Sequence, residues 1–262
     1  MSGRCCVRTR ITVHRACMSV TTHPRKIVPA PTPTQAPPPL PPIAVPDDAF
    51  CSSIPEAIKW RLIGWLGSKL RLDRFPAKRL QTSPVILQLG AGRDTPSHVV
   101  NADFFRVPLL MKRPKPDWAM DLTRPFRCPD RCIDGIFTQH TLEHLTPQQV
   151  MNTLRECRRV LRPGARIRVV VPDAEKYVMA VNGLRPLPDH GRVYALPIEG
   201  LRAVSQDFGH RSLWSPELMR RYLMHAGFHD ARIESFGQGG DPRLLLDTEI
   251  RRDESLYAEA VA

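Results

Sequence analysis

The chain has 262 residues, 42% hydrophobic and 24% charged, enough for a core that needs no disulfide or metal staple. Its net charge is +12, but Arg4, Arg8, Arg10, Arg15, Arg25 and Lys26 stand in a stretch, Met1 to Pro46, that holds no acid; half the excess belongs to a tail, so no nucleic-acid partner is expected. The seven cysteines form no C-x-x-C pair and no long apolar run precedes them, which argues against a disulfide scaffold, a secretory leader and a transmembrane segment and for free thiols in a cytoplasmic setting.

Ten of the 27 prolines lie between Pro24 and Pro46. Residues 1–46 therefore read as a disordered basic tail and a proline-rich linker, extended and unable to pack. Residues 47–83 read as an N-terminal helical segment. Ser53, Pro55 and Glu56 form a helix start, and Ile58, Leu62, Leu66 and Leu70 follow at helical spacing. The basic residues along this helix would allow weak peripheral contact with an anionic membrane through 54–71. Packing on its own domain is the simpler role.

From Pro84 the pattern turns to strands alternating with helices, which predicts a parallel sheet with crossovers over 84–262. Val85–Leu89 is a strand that runs into Gly90-Ala91-Gly92. Val99–Asp103 is a second, Trp118–Met120 a third and Ile133–Thr138 a fourth. Thr146-Pro147-Gln148-Gln149 opens a helix with a cap, a proline at the first position and a capping-box glutamine. Its stripe is Val150, Leu154, Cys157 and Leu161, and Pro163-Gly164 stops it. Arg166–Val171 is the fifth strand. A helix from Ser215 carries Leu218, Tyr222, Leu223 and Ala226, and two strands, near Ala231–Phe236 and Leu256–Val261, close the chain.

Ligands in open α/β sheets bind beyond the carboxyl ends of the strands. The glycines at the end of the first strand let the backbone turn tightly and approach a ligand. Asp103, at the end of the second strand, is placed to accept ribose hydroxyls. Only 11 residues separate it from Gly92, against about 20 in the dinucleotide fingerprint. No full helix fits, so the first crossover is predicted to be a loop or a single turn.

The blocks VILQLGAG, NADF, MDLTRPFRCPDRCIDGIFTQHTLEHLT and ECRRVLRPGARIRVVVPD, in that order, resemble class I S-adenosylmethionine-dependent methyltransferases. The resemblance is closest to a small bacterial subgroup that ends in a block like DESLYAEA. It implies an α/β, Rossmann-like methyltransferase fold: a mostly parallel central sheet flanked by helices, with a shortened first crossover. It also implies S-adenosyl-L-methionine as cofactor. Gly90, Ala91 and Gly92 would face its methionine part and Asp103 its ribose. Asp121 and Leu122 would meet the adenine, and Gln139 and His140 would flank the methyl group.

The acceptor implied is a small molecule or a glycan. The Asn/Asp-Pro-Pro-aromatic motif of base amino methylation is absent. The alternative is a non-catalytic cofactor- or partner-binding module that retains the methyltransferase fold.

Two histidines are candidate catalytic residues, His140 and His210. His210 could act as a base and Arg211 could grip an anionic acceptor. His140, Glu143 and His144 also fit the H-x-x-E-H zinc pattern. Thr146-Pro147 breaks the helix that this pattern needs, so no metal ligand is expected, and His144 reads as a capping or packing residue.

Overall fold

The computed structural model describes residues 69, 73–81, 84–104, 115–189 and 194–262. The expected tail and linker (1–46) lie outside the described residues, as does the helix expected from Ser53, with its proposed membrane face, but for Lys69. No helix among the described residues is long and apolar enough to cross a membrane.

Seven strands form one sheet: β1 (Ile86–Leu89), β2 (Val100–Asp103), β3 (Trp118–Ala119), β4 (Ile133–Gln139), β5 (Leu161–Pro172), β6 (His229–Glu234) and β7 (Ser255–Val261). Their order is β3-β2-β1-β4-β5-β7-β6. β7 runs antiparallel to both neighbours, and the other strands are mutually parallel. β4 lies at the centre, and β1 beside it has Leu87 opposite Val100 of β2 on one side and Ile136 of β4 on the other. The chain passes from β1 to β2 through residues 90–99 in turns, without a helix, as the short spacing requires.

Among the described residues the α-helices after β4 are α1 (Pro147–Val160), α2 (Ala174–Val181), α3 (Pro197–Gln206) and α4 (Pro216–His225). α1 starts as its sequence dictates. Thr146 Oγ1 accepts from the Gln149 amide at 3.3 Å and Gln149 Oε1 accepts from the Thr146 amide at 2.9 Å. Val150, Leu154 and Cys157 are buried, but the helix ends at Val160: Leu161, expected on the same stripe, is buried as the first residue of β5, and Pro163-Gly164, expected to stop the helix, lies within that strand. Thr146→Ala removes the side-chain half of this cap and is expected to lower stability by about 1 kcal/mol, read as a fall in the urea midpoint at unchanged slope; an unchanged midpoint would show that the cap contributes nothing.

α4 departs from expectation in phase. Met219 and Leu223 are fully buried, whereas Leu218 is 40% exposed. α2 and α3 occupy a stretch, between Val171 and Ser215, to which the sequence analysis assigned no element. Both carry start signals in hindsight. Asp173 caps α2 by accepting from the Glu175 amide, and Glu199 Oε2 accepts from the Ala195 and Leu196 amides ahead of α3.

Strand alternation divides the core in two. Leu87, Leu89, Ile136, Ile167, Val169, Val171, Leu256, Ala258 and Ala260 join the larger cluster with α1 and α4. Ile86, Phe137, Val170 and Tyr257 face the other way, where Phe236, Leu244 and Leu246 of the segment between β6 and β7 cover them. Phe75 packs in the larger cluster, edge-on to Trp118 at 4.9 Å, and the indole donates to the Asp73 carbonyl at 2.8 Å. Residues 73–75 thus share a core with 84–262.

Candidate functional site

The carboxyl ends of β1, β2, β3 and β4 lie side by side, and the site residues named from sequence fall on them. Gly90 and Gly92 both have positive φ, +68° and +61°, a region that a side chain strains. Gly90 has a second constraint, because a Cβ there would overlap the Thr141 side chain. Thr141 itself bonds back to the Gln139 carbonyl at 3.0 Å, so the ends of β1 and β4 are closed against each other. Among the described residues a Cβ at Gly92 would meet the Gly90 carbonyl, at 3.8 Å.

Asp103 ties the turn to β2. Its Oδ2 accepts from the Gly92 amide at 2.7 Å and its Oδ1 from the Phe104 amide at 2.7 Å. The Ala91 amide donates to the Ala102 carbonyl at 3.1 Å. Gly90, Ala91, Gly92 and Asp103 therefore form one unit. Asp121 is one residue beyond Met120, whose amide donates to the Asp103 carbonyl. Its Oδ1 accepts from the Thr123 amide and hydroxyl at 2.9 and 2.7 Å, and its Oδ2 stands 3.3 Å from Arg124 Nε. Leu122 is partly buried against the larger core.

Gln139 ends β4 and pairs twice with Thr248, donating to its hydroxyl at 2.6 Å and accepting from its amide at 3.0 Å. His140 follows with φ +47°, a conformation that a non-glycine residue adopts at a cost of roughly 1–3 kcal/mol and that clusters at functional sites. Its Nε2 stands 2.8 Å from Ser255 Oγ and its Nδ1 3.5 Å from Glu143 Oε1. Burial, with lesser repulsion from Arg251, holds its pKa well below the usual 6.5, so the ring is neutral near pH 7 and able to accept a proton.

His210 is brought to the same place by the backbone. The Arg211 and Ser212 amides both donate to the Glu143 carbonyl, at 2.7 and 3.1 Å. His210 Nδ1 lies 2.7 Å from the Val204 carbonyl, which can only accept, and its Nε2 lies 3.9 Å from Glu143 Oε1. Burial pushes this histidine down to about 4. Its side chain is 8% exposed, and its remaining nitrogen looks at Glu143. Arg211 is exposed.

Glu143 was part of the zinc pattern in the sequence and received no further role. It is 1% exposed and neither carboxylate oxygen has a hydrogen-bond partner; burial pushes its pKa up to about 8. The DESLYAEA block, read from sequence only as a mark of kinship, supplies the neighbours. Glu254 accepts from Arg251 at 2.7 Å and from the Tyr177 hydroxyl at 3.1 Å. Lys176 donates to the carbonyls of Asp253 and Ser255. Ser255 also lines a cavity of about 450 Å³ with Asp173, Lys176, Phe236, Arg252 and Tyr257. The cavity lies toward β5, β6 and β7, away from the glycine turn, and His140 stands between the two.

Residues 90–169 match the methyltransferase domain family. The match runs from the glycine turn of β1 into β5 and so takes in Asp103, Asp121, Gln139, His140 and Glu143. Among solved structures the chain is similar to a methyltransferase of Archaeoglobus fulgidus (16% identity, 82% of this chain and 97% of that one, TM-score 0.47). It is also similar to one from Thermotoga maritima (13%, 78% and 98%, 0.46) and one from Mesorhizobium loti (16%, 71% and 96%, 0.41). No curated protein matches the sequence. The chain joins its glycine turn and acid by a direct hydrogen bond, and the residue that follows β4, His140, meets Ser255 at the start of β7.

Proposed function

We propose that the protein transfers a methyl group from S-adenosyl-L-methionine to a small-molecule or glycan-type acceptor. The observation that carries this reading is the positive-φ Gly90–Gly92 turn hydrogen-bonded to Asp103, within the segment that matches methyltransferase domains. A backbone without side chains beside a carboxylate fits a nucleoside bearing an amino-acid tail: the turn lies against the tail and Asp103 holds the ribose. Asp121 and Leu122 meet the adenine; Gln139 and His140 flank the methyl. The cofactor supplies an activated methyl on a sulfonium, and the protein's part is chiefly alignment.

An acceptor hydroxyl would also have to lose a proton. Neutral His140 is the group that takes it, through Ser255, which lines the cavity and stands 2.8 Å from His140 Nε2. Glu143, whose Oε1 stands 3.5 Å from His140 Nδ1, lies on the far side of the ring with His210 beyond it.

Calorimetry tests the cofactor assignment. Wild type is expected to bind S-adenosylmethionine or its demethylated product. Asp103→Ala removes hydrogen bonds to a charged group, worth about 1.5–3 kcal/mol, and should weaken binding by roughly 10- to 150-fold. Gly92→Val should weaken it too, by straining the positive-φ turn. Absence of heat with wild type sinks the reading.

A further inference from the structure

Glu143, His144 and His210 present one ligand atom each, and these atoms all lie within 4.8 Å of one another. We propose that these three side chains form a binding site for one divalent transition-metal cation of the zinc class. Sequence spacing alone suggested a different set, His140 with His144 on one helical face. That face does not exist. Residues 142–144 form a short 3-10 turn, and the second histidine is recruited from the chain 66 residues after His144.

Three independent features converge. The first is the carboxylate. Glu143 is buried, yet neither oxygen accepts a hydrogen bond, and an unpaired buried acceptor is costly. A cation would pair it. The second is the orientation of His210. Its Nδ1 donates to the Val204 carbonyl, so the neutral ring turns the lone pair of Nε2 toward Glu143. A backbone carbonyl on the far nitrogen is how metal-bound histidines are held in one tautomer. His144 lies edge-on to the same ring at 5.0 Å and faces the Phe208 and Gly209 carbonyls. The third is strain. Phe208, at φ +61°, and Gly209, at φ +74°, turn the chain sharply to deliver His210, and such strain in a non-glycine residue persists where the surroundings impose it.

One oxygen and two nitrogens suit zinc-class ions, and three protein ligands leave a fourth position for water. At metal–ligand distances of about 2.0–2.1 Å the ligand atoms sit roughly 3.4 Å apart. The 3.9 Å between His210 Nε2 and Glu143 Oε1 therefore needs only a small inward shift. His144 is exposed and provides the way in.

The test uses full-length protein stripped with a chelator, with neither methyl donor nor acceptor, so its outcome is independent of the methyl-transfer reading. Titration with Co²⁺ should load one ion per chain, with visible bands of nitrogen–oxygen ligation, displaced by Zn²⁺. Glu143→Gln, nearly isosteric, and His210→Ala should each weaken Zn²⁺ binding by at least roughly 100-fold, more than the loss of an outer-shell partner costs. If His210→Ala does not fold, His144→Ala, at an exposed position, carries the same expectation. A thiolate-to-cobalt charge-transfer band as the sole signal would place the ion on cysteines and overturn the proposal, as would no stoichiometric loading or equal affinity in Glu143→Gln.

Discussion

Arg168→Ala is expected to destabilise the protein by about 3–5 kcal/mol, the usual cost of breaking a buried charge pair by removing one partner. Arg168 is fully buried on β5. A guanidinium has five N–H donors, and each finds an acceptor. Nε and Nη2 grip Asp247 at 2.8 and 2.5 Å, Nη1 reaches Glu259 at 3.0 Å and the Gln238 carbonyl at 2.8 Å, and Nη2 also reaches the Ser235 carbonyl at 3.1 Å. The Tyr257 ring lies beneath at 5.3 Å. Alanine would leave Asp247 and Glu259, 2% and 1% exposed, as buried carboxylates without their cation.

For a domain of this size the loss corresponds to a fall of roughly 6–20 °C in Tm. Arg168→Lys keeps a charge but not the planar fork and should fall between. A Tm for Arg168→Ala within a degree or two of wild type would show that the network contributes nothing. The effect should also reach the site. Asp247 adjoins Thr248, which holds Gln139 at the end of β4, so Arg168→Ala protein that still folds should bind the cofactor more weakly.

His140→Ala is expected to lower turnover by roughly 10²–10⁴-fold with a hydroxyl acceptor, the usual contribution of a positioned general base. Cofactor affinity should fall as well, because the residue borders the methyl group in the proposed arrangement. His210→Ala should lower turnover and leave cofactor affinity nearly unchanged, since His210 touches Glu143 and the Val204 carbonyl rather than the glycine turn. Product formation and calorimetric affinity, measured for both variants, separate the two roles. Wild-type turnover in His140→Ala would remove the base assignment.

The amino-acid sequence by itself determined the local decisions. A threonine, a proline and a glutamine at adjacent positions start α1 because their partners lie within three residues. Two glycines end β1 in a left-handed turn, and a gap of 11 residues leaves no room for a helix before Asp103. These depend on backbone sterics and capping, which act over a few residues. The phase of α4 was less legible. Its Leu218 and Met219 are both apolar neighbours, and only the sheet decides which one turns inward.

Contacts between distant parts of the chain belonged to the tertiary structure alone. Arg168 stands in a strand of mixed apolar and basic residues, and nothing near it announces carboxylates 79 and 91 residues later. The reading of His140 and His144 as a rejected zinc pair was correct about the missing helix. It had no means of placing His210 against Glu143. That placement follows from two amides that hydrogen-bond to the Glu143 carbonyl, a pairing between two loops at the end of the sheet. Periodicity and capping describe how a segment folds on itself. Which loops meet at the carboxyl end of β4 is set by the strand order and by how α2 and α3 return the chain, and no local pattern encodes either.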